Sequence, residues 1–451
     1  MKETRIHALL ARTMLLESEP IHKDYHLIKS GSVPLLFSVN GSQLVGIDAE
    51  TASKLATHDQ PTDYYQTIIQ NQLGTQPRYV DDAPIQNPKT YALSLAIAQK
   101  CNLGCSYCYA SQGNFKEAAT QMEVEVAKQA IDFLLVDKRN GEKVQISFMG
   151  GEPLMHRKGI YEVTAYAEAQ AAKKGVLVNY SITTNGTLLT EEDATFFENH
   201  AFAVTISLDG DQQAHDKLRP MKNGKGTFDL IMRKIAPLLR IQNKMQVSAR
   251  ITVTSENLNL ADTLQSFIGM GFHSVGLSPL LNADNHSNEL TKEQQAHLLS
   301  EMIACGLAFE KAVMNSQPFP FLNMINAFKE IEKQTHKPYP CGAGAGYFGV
   351  SAKGELSACH RFVNNSSGAM GNLSEGINES QQNQWLQQRH VHQQQPCNTC
   401  WARYLCGGGC HHEVIEVGRT SCDYIRGWLT YCLQAYHRVH SMLEKRAYAG
   451  V

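Results

Sequence analysis

From Tyr91 to Leu280 the sequence alternates short apolar runs with amphipathic ones, and that alternation restricts the fold more than any other feature. The segments Tyr91–Ala98, Val144–Phe148, Val176–Thr183, Ala203–Leu208, Gln246–Val253 and Ser274–Leu280 read as strands. They are apolar along most of their length, as expected of a sheet covered on both faces. Between them, Met122–Leu135, Gly159–Lys174, Glu191–Asn199, Phe228–Gln242 and Leu258–Gly269 carry helical periodicity. Right-handed crossovers make such strands parallel and curl them into a partial (β/α)6 barrel, an α/β fold. Chemistry in barrels of this kind gathers at the C-terminal ends of the strands.

Two unusual segments fall at those ends. The first strand runs into Cys101-Asn-Leu-Gly-Cys105-Ser-Tyr-Cys108, three thiols that one tight loop can aim at a single point. A [4Fe–4S] cube held by three thiolates keeps one iron without a protein ligand, which suits chemistry better than simple electron carriage. The plainer alternatives are a structural zinc site or three unrelated core thiols, although zinc sites favour paired CxxC motifs. The second strand ends in Gly150-Gly151-Glu152-Pro153, where glycines let the backbone approach a ligand closely. An ordinary βα turn is the alternative there.

Composition narrows the setting. The formal charge of −2 gives no general attraction to nucleic acid or to an anionic membrane. No apolar run is long enough to span a bilayer. The first twenty residues carry Glu3, Arg5 and Arg12 through their apolar positions, so they do not read as a signal peptide. A cytoplasmic protein is expected. Twelve cysteines in a reducing compartment then argue for metal ligation rather than disulfides. Three lie at 101–108, one at 305 and eight between 341 and 432.

The CxxxCxxC spacing, with an aromatic before the third cysteine and Gly-Gly-Glu-Pro about forty residues on, resembles the signature of radical S-adenosylmethionine (SAM) enzymes. The resemblance implies a TIM-type partial barrel. It also implies that SAM chelates the open iron and is cleaved reductively to a 5′-deoxyadenosyl radical. Gly150, Gly151, Glu152 and Pro153 would hold the SAM amino group. Ser207 on the fourth strand and Arg250 on the fifth fall where relatives contact SAM, and a guanidinium suits its carboxylate. Leu277 on the sixth strand would wall the adenine. Barrel packing is the alternative for each of these three, or a structural ion pair for Arg250.

The later cysteines read Cys341-x12-Gly354-x4-Cys359, then Cys397-x2-Cys400-x5-Cys406-x3-Cys410, then Cys422. This resembles the seven-cysteine SPASM extension of radical SAM peptide modifiers, and the resemblance implies two auxiliary [4Fe–4S] clusters, three in all. Cys397, Cys400, Cys406 and Cys422 would close one. Cys341, Cys359 and Cys410 would hold the other. Some relatives have an eighth cysteine where Thr335 stands here, so that cluster is expected to keep an open iron unless Thr335, His336 or water fills it. A zinc ribbon of Cys397, Cys400, Cys406 and Cys410 is the alternative, since thiolates suit both metals. His360-Arg361-Phe362 and His411-His412-Glu413 follow ligand cysteines and are placed to tune a cluster or simply to pack. Cys305 and Cys432 read as core thiols.

The expected organisation is an N-terminal α+β domain at 1–90, the barrel at 91–285, a helical bridge at 286–340 and the cluster domain at 341–451. Residues 1–18 carry a short helical pattern. Two strands joined at Asn40-Gly41 form a hairpin, a helix follows from Asp48, and residues 76–92 read as a linker. A small sheet followed by helices resembles the elements that grip a leader peptide by strand addition; the alternative is a plain cap on the barrel.

The stretches Cys359-His-Arg-Phe-Val and Cys400-Trp-Ala-Arg-Tyr-Leu-Cys-Gly-Gly-Gly-Cys-His-His-Glu resemble maturases of the quinohemoprotein amine dehydrogenase small subunit. That resemblance implies thioether crosslinks from cysteine sulfur to Asp or Glu carbons in a ribosomally made peptide or small protein. A flavodoxin-type reductase would supply electrons. Carbon–carbon cyclophane formation and sulfatase-type Cys or Ser oxidation are the alternatives within the class. An iron–sulfur electron carrier is the alternative outside it, but a carrier has no use for the Gly-Gly-Glu-Pro turn.

Overall fold

One mixed sheet runs through most of the chain in the computed structural model, which describes residues 22–29, 33–57, 61–72, 79–280 and 288–449. The helix expected over residues 1–18 lies outside them. Six parallel strands form the barrel wall: β4 (Ala92–Gln99), β6 (Lys143–Gly150), β7 (Leu177–Thr184), β8 (Ala203–Ser207), β9 (Gln246–Val253) and β10 (Ser274–Pro279). They stand in sequence order from β4 to β10, as successive right-handed crossovers dictate. The six expected strands and five intervening helices are all present.

The strands are not uniformly apolar. β4 is buried along its whole length, whereas β9 alternates. Val247, Ala249, Ile251 and Val253 join the core under the helices, while Ser248, Arg250 and Thr252 line the lumen. A partial barrel keeps an open interior, so its inner face tolerates polar side chains that a filled barrel would reject. The seven-residue helix Gln212–Leu218, capped by the Asp211 carboxylate accepting from Ala214 N–H at 2.9 Å, has too few apolar positions to show a period.

The sheet continues past the barrel. Strand β11 (Tyr347–Val350) pairs in parallel with β4, in register Tyr347↔Ala92. Strands β12 (Glu355–Ser357), β13 (Ala369–Asn372) and β14 (Gly376–Ile377) then add antiparallel, and the short β5 (Thr120–Gln121) pairs with the end of β4. The strand leading into Cys101 is therefore hydrogen-bonded to the strand leading toward Cys359. Helices Lys292–Met314 and Cys422–Ala449 pack together behind the barrel. Cys305 and Cys432 are buried in that core, and Glu310 accepts from Tyr431 (2.6 Å) and twice from Arg438 (2.8 Å each). Among the described residues, no helix is long and apolar enough to cross a membrane.

At the N-terminal end, β1 (Tyr25–Ile28), β2 (Leu35–Ser38) and β3 (Gln43–Gly46) form an antiparallel sheet, with the expected hairpin at Asn40-Gly41. Its one face buries Tyr25, Leu27 and Leu36 against helices Ala49–Thr57 and Pro61–Gln72. The other face, through Ile28, Leu35 and Phe37, joins the main core.

Candidate active site

The Cys101–Cys108 loop is held from outside by the chain that follows the helix Gln212–Leu218. Gly104 N–H donates to Pro220 O (2.8 Å), Ser106 N–H to Leu218 O (3.1 Å) and Lys222 N–H to Asn102 O (3.3 Å). From inside, Tyr107 is buried; its hydroxyl donates to Asp209 and accepts from Arg219 Nη1 at 2.5 Å. Cys101, Cys105 and Cys108 lie within electrostatic reach of one another. Burial pushes the Cys101 thiol up and the Cys105 thiol up to about 12. Cys105 and Cys108 border a cleft with Gln112, Asn114 and Lys116.

The Gly-Gly-Glu-Pro turn lies against the residue preceding Cys101. A Cβ on Gly151 would stand 2.4 Å from Lys100 O, and one on Gly150 only 2.3 Å from Ala98 O. Gly150 also has φ +140°, a conformation glycine adopts freely. Glu152 is fully buried and accepts from Thr184 Oγ1 (2.7 Å), Leu154 N–H (3.0 Å) and Asn185 N–H (2.7 Å). Burial raises its pKa, and those bonds oppose the rise. Pro153 opens a short 3-10 turn to His156.

Thr184-Asn185-Gly186, at the end of β7, also belongs to this corner of the site. Asn185 Nδ2 donates to Asn102 Oδ1 at 2.9 Å and lies 3.8 Å from Cys101 Sγ. Its Oδ1 accepts from Thr187 N–H and Oγ1. Polar residues closing an apolar strand were the available signal. Tyr107 was visible only as the aromatic before the third cysteine, and Asp209 and Arg219 gave no signal, because their meeting depends on tertiary structure.

Register decides the lumen contacts. Ser207 pairs with Arg250, and Arg250 with Gly276, so Ser207 and Arg250 are neighbours on the lumen face. Arg250 opens onto the lumen, yet the surrounding protein desolvates it and lowers its pKa. Among the described residues it makes no hydrogen bond or ion pair, and it feels the charges of Arg361, Tyr109, Glu413 and Cys410. Leu277 pairs with Ile251, one residue along, and so faces the opposite way. It is buried in the helix-packed core, with its N–H donated to Asn323 Oδ1 at 2.9 Å. The structure therefore separates Leu277 from the other two lumen candidates.

A second set of thiols meets the first across Tyr109. Cys341, Cys359 and Cys410 act on one another electrostatically, and burial raises Cys341 and takes Cys359 to about 12. Tyr109, the residue after Cys108, has its ring 6.0 Å from the His360 ring and 5.1 Å under the Arg361 guanidinium. Arg361 Nη1 donates to Glu413 Oε1 at 2.8 Å and lies 3.7 Å from Cys410 Sγ. Burial holds His360 near 3, hence neutral, with Nδ1 2.7 Å from the Tyr347 hydroxyl. Thr335 and His336 belong elsewhere. Thr335 O accepts from Ser42 (3.0 Å), and His336 Nε2 pairs with Asn40 O (2.7 Å) at the N-terminal sheet.

Four further cysteines form a third set. Cys397, Cys400, Cys406 and Cys422 act on one another and border one cavity, whose rim Cys410 also touches. Cys406, Cys400 and Cys422 all act on Cys397. Burial takes Cys397 to about 11, while Arg419 pulls it down. Arg389 Nε donates to His411 Nδ1 at 3.2 Å beside this set. Among the described residues, no three Cys, His, Asp or Glu side chains converge as tightly as one zinc ion, with its bonds of about 2.3 Å to sulfur, would demand. Thiol donor sets of this composition, one cradled by the Gly150–Gly151 turn, fit iron–sulfur groups.

Comparison with known proteins agrees with this geometry. The Radical SAM superfamily description matches residues 95–267. The serine-type anaerobic sulfatase-maturating enzyme of Klebsiella aerogenes is 24% identical over 336 residues, 73% of this chain and 81% of that one. The radical SAM cyclopropyl synthase of Paramaledivibacter caminithermalis is 22% identical over 74% of this chain and 71% of its own. The solved structure of native anSMEcpe with bound AdoMet and Cp18Cys peptide superposes with TM-score 0.64 at 18% identity, covering 79% of this chain and 100% of that one. Residues 95–267 are thus a radical SAM domain, and the chain is similar to radical SAM maturases over about three quarters of its length.

Proposed function

We propose that this enzyme matures a gene-encoded peptide or small protein by forming thioether crosslinks from a cysteine sulfur to a side-chain carbon. The observation that carries the reading is the second thiol set. Cys341, Cys359 and Cys410 abut the radical site through Tyr109, while the His336 ring is bonded to the N-terminal sheet and the Thr335 side chain to Glu330. Three thiols beside a radical source leave room for a fourth sulfur from a substrate.

In this reading Cys101, Cys105 and Cys108 hold a [4Fe–4S] cluster. Cys341, Cys359 and Cys410 hold an auxiliary one, and Cys397, Cys400, Cys406 and Cys422 close a third. When bound, SAM and the first cluster supply the 5′-deoxyadenosyl radical that abstracts hydrogen from the substrate. The chain's own residues bind and orient. The backbone at Gly150–Pro153 receives the SAM amino group, Arg250 takes the carboxylate, and Ser207 lies beside it. Tyr109, His360 and Arg361 wall the space between the two thiol sets. The domains are those expected from the sequence, at 1–90, 91–285, 286–340 and 341–451, in a cytoplasmic enzyme served by a flavodoxin-type donor.

The N-terminal sheet would receive a leader peptide at β3. Ile47 N–H donates to Pro34 O at 2.9 Å, so antiparallel alternation turns the N–H and C=O of Leu44 and Gly46 to the outer edge. Among the described residues β3 pairs only with β2. Strand addition needs such an edge.

A second reading, oxidation of a Cys or Ser in the manner of sulfatase maturation, is favoured by the activity for which the Klebsiella relative is named. One experiment separates the two. The reconstituted enzyme is incubated anaerobically with dithionite, SAM and precursor peptides encoded beside its gene, and the products are weighed. Thioether formation removes two hydrogens per crosslink and protects the cysteine from alkylation. The same loss with a free thiol indicates a carbon–carbon link, and a product carbonyl reactive to hydrazides indicates oxidation. Failure to form 5′-deoxyadenosine would sink both readings.

A further inference from the structure

Behind the Cys101–Cys108 loop stands a buried cation with no role in the reading above. Arg219 is only 9% exposed. Its Nη1 donates to the Tyr107 hydroxyl at 2.5 Å and lies 3.7 Å from Asp209 Oδ2. Its Nε is buried without a hydrogen-bond partner among the described residues. A buried donor left unsatisfied costs about 1–3 kcal/mol, and more when charged. The groups around it are otherwise well paired: Asp209 Oδ1 accepts from Thr252 N–H (2.9 Å), and the Asp209 N–H donates to His215 Nδ1 (3.2 Å). An isolated failure in such a network points to an acceptor from outside the polypeptide.

The neighbours define that acceptor. Tyr107 lies between Cys105 and Cys108 in the chain. Arg219 and the Cys105 thiol act on each other electrostatically. Arg219 is the foremost cation acting on Cys105, and it also acts on Cys101 and on Glu152. The hydrogen bonds of Leu218 O and Pro220 O to the cysteine loop place Arg219 directly behind it.

We propose that Arg219 is a positioning residue for the iron–sulfur group of the Cys101/Cys105/Cys108 loop, its Nε–H donating to a sulfur of that group. The inference rests on those three cysteines being cluster ligands. A charged donor on sulfur stabilises the more negative, reduced form and raises the reduction potential. Tyr107 and Asp209 aim the donor by holding the opposite edge of the guanidinium.

The test uses the full-length, reconstituted enzyme and reads the cluster rather than turnover. Arg219→Lys keeps the charge but lacks the Nε–H of the planar fork. Tyr107→Phe removes the hydroxyl that orients the guanidinium while sparing the Arg219–Asp209 pair. EPR-monitored redox titration follows the signal that SAM perturbs, and ENDOR in H2O and D2O follows exchangeable protons near it. At the potential where the wild type is half reduced, the reduced-to-oxidised ratio should fall roughly tenfold in Arg219→Lys, equal to about 59 mV for a one-electron couple. One exchangeable coupling should vanish with it. Tyr107→Phe should shift the same way by less, and it carries the test if the lysine variant does not load iron. An iron-loaded variant with the wild-type potential and the wild-type coupling overturns the proposal. A wild type with no SAM-sensitive iron signal overturns the ligand reading itself, and the proposal with it.

Discussion

His26 of the N-terminal sheet stacks on Trp401, the residue after Cys400, with ring centroids 3.9 Å apart and planes 2° from parallel. Phe37 meets the same indole edge-on at 6.1 Å, and His26 Nε2 pairs with Thr430 at 3.0 Å. Arg403 reaches back to the carbonyl of Lys23 and to Asn40 Oδ1. The sheet proposed to hold a leader is thereby fastened to the segment that carries Cys400 and Cys406.

The first prediction follows from that fastening. Trp401 is 3% exposed, so Trp401→Ala should cost about 3–5 kcal/mol of stability, as expected for emptying a buried aromatic site. Trp401→Phe should cost less because a ring remains to stack on His26. Thermal melts of both variants check the order. In the proposed function, the Ala variant should also lose peptide affinity while retaining iron at the Cys101–Cys108 loop.

The glycine turn gives a second. An alanine at 151 places its Cβ 2.4 Å from Lys100 O and 2.6 Å from Lys100 C, backbone atoms that cannot move aside without moving Cys101. Gly151→Ala should therefore reconstitute with about four fewer irons per chain, the content of one [4Fe–4S] cluster. The remaining thiol sets should load normally. Iron analysis of the variant against Cys101→Ala checks it; equal iron in Gly151→Ala and wild type would refute the close approach.

A third concerns the barrel frame. Asp193 is fully buried and accepts two bonds from Arg157 (2.7 and 3.0 Å), one from Tyr161 (2.8 Å) and two in the capping box with Thr190. Asp193→Ala takes the carboxylate partner from Arg157, leaving it Leu188 O, and removes the reciprocal half of the capping box, while Thr190 Oγ1 still accepts from the N–H at 193. The expected loss is about 3–5 kcal/mol. Asp193→Asn, which can still accept from Thr190, should lose less. Denaturation midpoints distinguish the two.

What the sequence made legible had local causes. The strand and helix patterns placed the six barrel strands and the five helices between them within a residue or two, because each pattern is local to its own segment. The grouping of the later cysteines came from the family resemblance rather than from spacing, which left a zinc ribbon of Cys397, Cys400, Cys406 and Cys410 open. Leu277 shows where that legibility ends: a shift of one residue in a period of two turns a side chain from lumen to core. The pairing of β11 with β4 was invisible because it joins segments about 250 residues apart with no local signal. Arg219 lay in an ordinary Lys-Leu-Arg-Pro turn, and only the fold brought it against Tyr107 and Asp209.

The last prediction is a pH dependence set by His215. Thr227 Oγ1 donates its proton to Arg219 O at 2.7 Å, so at 3.0 Å it must accept from His215 Nε2–H. His215 Nδ1 in turn accepts the Asp209 N–H at 3.2 Å. The imidazole is thus held neutral, with both nitrogens committed, and a second proton on Nδ1 would face an N–H donor. Burial, assisted by Arg219, lowers its pKa from 6.5 to about 3. The unfolded chain therefore binds one more proton than the folded chain between those two values. Stability is complete above pH 6.5 and declines as pH falls toward 3. At 1.36 kcal/mol per pH unit, this site alone removes about 2 kcal/mol by pH 5. His215→Gln, which cannot titrate, should be less stable than the wild type at pH 7.5 but lose less between pH 7.5 and pH 5. Melting both proteins at the two pH values checks the difference in slope; equal slopes would show that His215 takes up its proton without unfolding.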